Sequence, residues 1–209
     1  MTNSESESED RLARASQGDQ DARAQLLEQH RDQLKRMVSL RLDRRVLKRV
    51  DPSDIIQETL SQADRKLDEY LRERPIPFYP WLRQLAWDQL VTAFRRHMFA
   101  HRRSANREDF VPDLSDESVA ELATYLCDLS EEPLRKLLRA EAQGRLRDAL
   151  GQLPEQDREI LVLRYLEQLS TADTAAVLNL GLSAVKTRHL RAIERLRELL
   201  GNQPLDPSS

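Results

Sequence analysis

The chain has 209 residues, enough for one large or two small domains, and its 39% of hydrophobic residues excludes a disordered chain. Charged residues make up 33%, aromatic residues only 5% and glycine just five positions, a profile that favours an all-α fold. A single cysteine, Cys127, excludes an intrachain disulfide, and an acidic N-terminus without a long apolar run predicts a cytoplasmic protein outside the membrane.

The N-terminal part opens with a polar, acidic stretch, residues 1–10, which predicts a disordered tail. From there to about residue 45, apolar residues recur at helical spacing and predict one short and one long helix. His30 falls on the apolar side of the long helix. We expect it to be packed or capping rather than a metal ligand, because no second ligand type is placed beside it.

The next predicted helix begins at Asp51, which can cap it, with Pro52 suited to the first helical position. Its buried stripe consists of Ile55, Ile56, Thr59, Leu60, Ala63 and Leu67. Its outer face holds Asp54, Gln57, Glu58 and Ser61. By spacing alone, these four residues are a solvated surface.

Residues 71–80 contain three of the nine prolines and predict a rigid loop that bears Phe78 and Tyr79. A helix follows, with a core face made of Trp81, Leu82, Leu85, Ala86, Leu90, Ala93 and Phe94. Its end is cationic, with Arg95, Arg96, Arg102 and Arg103. Aromatic residues beside arginines suit stacking on unpaired bases, although core packing is an equal alternative for Phe78, Tyr79, Trp81 and Trp87.

An acidic stretch separates this helix from the C-terminal part. Residues 108–132 carry about nine acids and no base, whereas residues 31–50 carry about eight Lys/Arg. The net charge of −3 is therefore an average over acidic and basic blocks. We expect a linker at 106–132, with a candidate short helix at 118–127. The predicted domains are therefore 11–105 and 133–201, followed by a tail at 202–209.

Residues 169–200 predict two short helices joined by a tight turn. Ser170 and Asp173 have capping-box spacing, and Asn179 tolerates the left-handed conformation that the turn needs. A helix-turn-helix requires one small and two apolar residues at the positions of Ala175, Leu178 and Val185.

The second of these helices segregates charge from apolar residues. Its cations are Lys186, Arg188, Arg191, Arg195 and Arg197. Its apolar stripe, expected to face its own domain, is Leu182, Val185, Ile193, Leu196 and Leu200. This composition predicts a DNA recognition helix, and the alternative is an ordinary amphipathic hairpin with a solvated basic face.

In this order, the motifs resemble the extracytoplasmic-function (ECF) type of bacterial RNA polymerase sigma factor, of the sigma-70 family. DPSDIIQETLSQA is similar to the family's region 2.2 and FYPWLRQLAWDQLVTAFRRH to regions 2.3–2.4. LPEQDREILVLRYLEQLSTADTAAVLNLGLSAVKTRHLRAIERLR is similar to regions 4.1–4.2. The resemblance, over about residues 20–105 and 141–200, implies a region 2-like helical bundle and a region 4-like helix-turn-helix domain joined by the acidic linker.

The resemblance implies that the chain binds core RNA polymerase and directs it to promoters, as a monomer when free, without a cofactor. The β′ clamp helices would contact Asp54, Gln57 and Glu58, and the β flap is a second implied contact. Region 2 would read and melt the −10 element through Phe78, Tyr79, Trp81, Gln84, Trp87, Asp88, Arg95 and Arg96. Region 4 would read the −35 element through Ser183, Lys186, Thr187, Arg188 and Arg191. An anti-sigma factor is a further partner that the resemblance leaves open.

The chain departs from the family pattern at particular positions. Asp88 stands where Asn is frequent, which puts the −10 contact there in question, and Asn179 stands where Gly is common. SAVKTRH replaces the usual small-residue start of the recognition helix, so a −35 base preference does not transfer from the family.

Two other classes of protein compete with this interpretation. A stand-alone helix-turn-helix regulator that does not join polymerase explains residues 169–200 equally well but leaves the N-terminal part without a role. An enzyme fits poorly, because no nucleophile motif or phosphate loop occurs. The four histidines show no metal-ligand spacing with carboxylates, so we expect no metal site and no catalytic residue.

Overall fold

The computed structural model of the chain describes residues 3–42, 50–98, 114–128 and 139–201, and all regular structure in these ranges is helical. The helices are α1 (Asn3–Ser16), α2 (Gln20–Glu28), α3 (Arg31–Ser39), α4 (Pro52–Glu73), α5 (Phe78–Met98), α6 (Asp116–Asp128), α7 (Arg139–Gln152), α8 (Glu155–Leu161), α9 (Thr171–Leu178) and α10 (Leu182–Gly201). A π-helical turn, Val162–Leu166, continues α8. The all-α prediction is confirmed, and none of the described helices is both long and apolar enough to span a membrane.

The chain divides into two compact units, each with its own core. The first unit, Met1–Asp113, contains α1 to α5, and the second, Leu114–Ser209, contains α6 to α10. Both ends of the predicted linker, at 106–113 and 129–132, lie outside the described residues, as do the arginines at 102 and 103 and the tail at 202–209.

The N-terminus differs from the predicted disordered tail over residues 1–10, because α1 begins at Asn3. On its surface, Glu7 and Arg11 form an i,i+4 ion pair at 3.3 Å. On its other side, Leu12 and Ala15 are buried, and the helix packs on α2. An acidic composition therefore does not prevent this segment from forming a helix, since its apolar residues find a packing surface.

The predicted long helix is instead two short ones, α2 and α3, which meet at Gln29 and His30. Before α2, Gly18 makes a turn at φ +89°, and the Asp19 carboxylate accepts a hydrogen bond from the Ala22 N–H at 3.0 Å. That hydrogen bond, with a further one from the Arg14 side chain, lowers the pKa of the Asp19 carboxyl. No glycine or proline marks the break between α2 and α3, so periodicity alone does not reveal it.

Helix α4 forms as its sequence predicts. The Asp51 side chain accepts a hydrogen bond from the Ser53 N–H at 2.8 Å, and Pro52 opens the helix. All six residues of the predicted stripe are buried, together with Tyr70. The helix packs on α2, α3 and α5, which places its opposite face in solvent.

The predicted loop over 71–80 is shorter in the structure, since α4 continues to Glu73 and α5 begins at Phe78. Arg74 ends α4 in the left-handed conformation, at φ 40°. The Tyr70 hydroxyl then donates a hydrogen bond to the Ile76 carbonyl at 3.0 Å, across the turn. Pro80 is tolerated inside α5 because the first turn of a helix leaves its N–H groups without intrahelical partners.

Helix α6 confirms the candidate helix at 118–127 but not its assignment to a linker. Ser115 caps it by accepting a hydrogen bond from the Ser118 N–H at 3.1 Å. Leu122 and Ala123 are fully buried, and α6 packs on α7 and on the π-turn. Residues 114–128 therefore belong to the second unit.

Candidate nucleic-acid interfaces

The helix-turn-helix of the second unit is built by local hydrogen bonds that its sequence predicts. The Ser170 hydroxyl accepts a hydrogen bond from the Asp173 N–H at 3.0 Å, which caps α9. Asn179 ends α9 in the left-handed conformation, at φ 51° and ψ 49°. The Leu180 N–H then donates to the Ala175 carbonyl at 2.9 Å, which turns the chain into α10.

The inner face of α10 is fixed by packing and by two polar contacts. Val185, Ala192 and Leu196 are buried along it. Arg195, which we expected among the cations facing DNA, instead forms an ion pair with the buried carboxylate of Asp157 in α8. Burying a carboxylate is costly unless it is paired or hydrogen-bonded, so Arg195 stabilises Asp157 while its own side chain stays 52% exposed.

A histidine on α10 makes the second polar contact. His189 Nε2 and the Tyr165 hydroxyl are hydrogen-bonded at 3.1 Å, and their ring centroids lie 5.6 Å apart. Burial, and after it the charge of Arg164, lower the pKa of the His189 imidazole. The contact fixes the rotation of α10 against the π-turn.

The outer face of α10 gathers four of the five residues predicted to read the −35 element. Ser183, Lys186, Thr187 and Arg191 are all exposed, at spacings that place them on one side of the helix. Arg188 lies towards the flank of this face and is only half exposed.

Two leucines of α10 are also exposed. Leu182, which we assigned to the inner stripe, is 55% exposed, so that assignment is wrong. Leu190, for which we made no prediction, is 61% exposed and lies one turn after Lys186 and Thr187. Its position two residues before the buried Ala192, about half a turn round the helix, is the signal that places it outside.

The aromatic residues predicted to contact the −10 element fall into two groups. Phe78 and Tyr79 are buried, each 7% exposed, and lie 5.6 and 5.4 Å from the His30 ring between centroids. Tyr70 completes the group at 5.3 Å from Phe78. For these two residues, the structure has the core packing that the sequence left as an alternative, and His30 is packed as expected.

The two tryptophans remain half exposed. Trp81 packs on Tyr70 at 4.5 Å between ring centroids. The guanidinium groups of Arg41 and Arg83 lie 4.9 and 5.8 Å from the centroid of the Trp87 ring. Both arginines are buried, at 2% and 5% exposure, so they fix the indole by cation–π contacts.

The remaining predicted −10 residues lie on the exposed side of α5. Gln84, Asp88, Arg95 and Arg96 are exposed. With Trp81, the residues Gln84, Asp88 and Arg95 follow one stripe, at separations of three, seven and fourteen positions. The structure thus brings one aromatic residue, one amide, one acid and one cation to a single helix face, with Arg96 exposed beside it.

The residues predicted to bind polymerase lie on the outer face of α4. Asp54, Gln57 and Glu58 are all exposed. The Glu58 carboxylate accepts a hydrogen bond from Arg65 at 3.3 Å, and both side chains of this pair are largely in solvent. Such an exposed ion pair stabilises the fold by less than about 1 kcal/mol, so it does not hold Glu58 away from a partner.

Taken together, a helix-turn-helix with a polar, partly cationic outer face and a second helical unit that also presents such a face are typical of a DNA-binding protein. In the part of the chain that the structure describes, no group of three His, Cys, Asp or Glu is placed to hold a metal.

The comparisons with known proteins give the family. Residues 143–196 match the family model described as Sigma-70, region 4. The RNA polymerase sigma-H factor of Pseudomonas aeruginosa is 31% identical over 155 residues, which are 74% of this chain and 75% of that protein. The ECF RNA polymerase sigma-E factor of Haemophilus influenzae is 27% identical over 194 residues, 93% of this chain and 94% of that protein.

The solved structure of CnrH in complex with the cytosolic domain of CnrY has the same fold, with a TM-score of 0.52. It is 24% identical and covers 93% of this chain and 97% of that chain. The chain belongs to the RNA polymerase sigma factors, and its similarity to an ECF factor extends over 93% of its length. It binds core RNA polymerase and directs promoter-specific initiation of transcription.

Proposed function

We propose that the three exposed faces divide the work of initiation. The outer face of α4 binds polymerase, the exposed side of α5 reads and opens the −10 element, and the outer face of α10 reads the −35 element. The observation that carries this proposal is the contrast between the inner and outer faces of α10. Its inner face is closed by packing and by the Arg195–Asp157 ion pair, while polar, cationic and apolar side chains lie in solvent on the opposite face.

The outer face of α10 suits the major groove of duplex DNA. The groove is about 12 Å wide and admits an α-helix, and only there do all four base pairs present distinct donor and acceptor patterns. Lys186 and Arg191 can contact phosphates or guanine, and Ser183 and Thr187 can contact several bases. Leu190 offers an apolar contact of the kind that suits a thymine methyl group.

The exposed side of α5 suits unpaired bases. Melting costs a few kcal/mol for each base that leaves the stack, and aromatic stacking can return about 1–3 kcal/mol for each base. We propose that Trp81 and Trp87 meet these bases, because both are only half-buried, with the buried Phe78 packed against Trp81 at 5.5 Å between ring centroids. Arg95 and Arg96 would hold the phosphate backbone.

On the outer face of α4, Asp54, Gln57 and Glu58 would contact the β′ clamp helices, and the second unit would contact the β flap. The proposed place of action is the cytoplasm, where polymerase works, and we propose no catalytic role. We also propose an anti-sigma partner, for which the complex of CnrH with the cytosolic domain of CnrY is the precedent.

The test is transcription in vitro with core polymerase over a promoter library randomised in both elements. We expect the chain to enrich two sequence blocks at a fixed spacing, and substitutions in α5 and α10 to alter one block each. Binding of a single block without polymerase, with no transcription from the library, would support a stand-alone regulator instead.

A further inference from the structure

On the exposed side of α5, which we propose contacts the −10 element, Asp88 differs from its neighbours in charge. Asp88 is the only acid in α5, whose sequence is FYPWLRQLAWDQLVTAFRRHM. Its side chain is exposed, between Gln84 one turn before it and Arg95 two turns after it. Its backbone carbonyl accepts a hydrogen bond from the Thr92 hydroxyl at 2.7 Å, a contact that does not involve the carboxylate.

The carboxylate of Asp88 has no ion pair within the described residues, and Arg95 is too distant to supply one. Seven residues of helix separate their Cα atoms by about 10 Å along the axis. Arg95 can therefore contact a DNA phosphate while Asp88 meets a base. A carboxylate aimed at a polyanion is repelled unless it meets a hydrogen-bond donor, and an ionised Asp only accepts.

The bases differ in what they offer to such an acceptor. Adenine, cytosine and guanine each carry an exocyclic amino group, whereas thymine carries none. The Watson–Crick edge of an unpaired thymine presents a single N–H between two carbonyl oxygens, which repel a carboxylate. An unpaired guanine presents two adjacent donors, N1–H and the 2-amino group, to both carboxylate oxygens at once.

We propose that Asp88 reads one base of the −10 element as an obligate hydrogen-bond acceptor, selects a base with an amino group there and excludes thymine. Guanine is the strongest partner in a melted strand, with adenine and cytosine next. This inference rests on the proposed function of α5.

The experiment compares the unaltered chain with Asp88→Asn in reconstituted holoenzyme, on a promoter library randomised across the −10 element. Asparagine has nearly the same shape but donates as well as accepts, so it can pair with a carbonyl oxygen. We expect the unaltered chain to deplete thymine at one position by about tenfold or more, and Asp88→Asn to restore it there alone.

A second arm identifies the donor at that position. If guanine is enriched, replacing it by hypoxanthine, which lacks only the 2-amino group, should lower transcription by the unaltered chain more than by Asp88→Asn. If adenine is enriched, unsubstituted purine, which lacks the 6-amino group, should do the same. An equal loss for both proteins would contradict the inference.

Arg95→Ala separates this inference from the function on which it rests. If Asp88→Asn leaves the base distribution unchanged while Arg95→Ala lowers transcription from all −10 sequences alike, the inference fails and the role of α5 stands. If neither substitution has an effect, α5 does not meet the −10 element and both proposals fail. Because both positions are exposed, circular dichroism should show the same helicity for Asp88→Asn, Arg95→Ala and the unaltered chain.

Discussion

At the scale of single residues, Asn179 shows how one backbone conformation sets the helix-turn-helix. It is exposed and left-handed at φ 51°, so its side chain contributes little packing. A residue with a Cβ but without a short polar group is strained there, so Asn179→Ala should lower the free energy of unfolding by about 1 kcal/mol. Asn179→Gly, the matched control, should stay within about 0.5 kcal/mol of the unaltered chain. Urea unfolding followed by circular dichroism measures both, and equal losses would show that the turn conformation is not the cause.

His189 gives the second residue-scale prediction, on pH. Its pKa is lowered from 6.5 in the folded chain, chiefly by burial, so as pH falls the unfolded chain binds the proton first. The contribution of the neutral imidazole to stability is complete above about pH 6.5 and is lost as pH falls through the folded-state pKa. We expect the free energy of unfolding to fall between pH 7.5 and pH 5.5. The fall should be smaller for His189→Gln than for the unaltered chain, because glutamine does not titrate. An NMR titration midpoint at or above 6.5 for His189 would contradict this.

At the scale of helices, the two arginines of α10 differ in exposure and should differ in effect. Arg191 lies on the outer face, whereas Arg188 is half exposed at its flank. If Arg191 contacts a base, Arg191→Ala should weaken binding of the −35 element by the holoenzyme by about 1–3 kcal/mol and relax sequence specificity. If Arg191 contacts a phosphate, the substitution should weaken binding of all −35 sequences to the same extent. Arg188→Ala should weaken binding less.

Arg147→Ala is the control for these two substitutions, since Arg147 is exposed on α7 in the same unit. It should leave −35 binding unchanged. Fluorescence anisotropy on a set of −35 duplexes at two salt concentrations gives affinity and salt dependence together. An equal loss from Arg147→Ala would mean that net charge, rather than the outer face of α10, determines binding.

Helices that are encoded locally could be predicted from the sequence. The caps at Asp51 and Ser170 and the buried stripe of α4 follow from residues a few positions apart. Features that depend on distant residues could not. Phe78 and Tyr79 are buried by His30 and Tyr70, and α6 joins the second unit through only a few small or apolar side chains in an acidic stretch.

The same limit applies to the candidate sites. Spacing placed Asp54, Gln57 and Glu58 in solvent correctly, because the buried stripe beside them fixes the rotation of α4. Spacing failed for Arg195, because its partner lies 38 positions away at Asp157, and for Leu182, which periodicity places on the inner stripe but which is 55% exposed at the first position of α10. Charge alone does not show whether a cation serves DNA or its own fold.

At the scale of the whole molecule, the net charge of −3 is compatible with promoter binding because no single face must supply the affinity. An isolated α10 offers few cations, so it would neutralise few phosphates and bind weakly at physiological salt. Once polymerase holds both units, binding of one element raises the effective concentration of the other unit at its element. Modest contacts at two elements then give a specific complex.

Polymerase binding is therefore the contact on which both DNA contacts depend, and its proposed location on the outer face of α4 can be tested by substitution. Asp54→Ala and Glu58→Ala should each weaken the affinity for core polymerase and lower transcription from every promoter in the same proportion, since no base contact is altered. Glu69→Ala is the control, because Glu69 is an exposed acid of the same helix, about 16 Å beyond Glu58 along the helix axis. Affinity measured by pull-down or anisotropy with labelled chain should separate the first two variants from the third. If all three bind core polymerase as the unaltered chain does, the outer face of α4 is solvent-exposed in the holoenzyme as well, and the polymerase contact lies elsewhere on the chain.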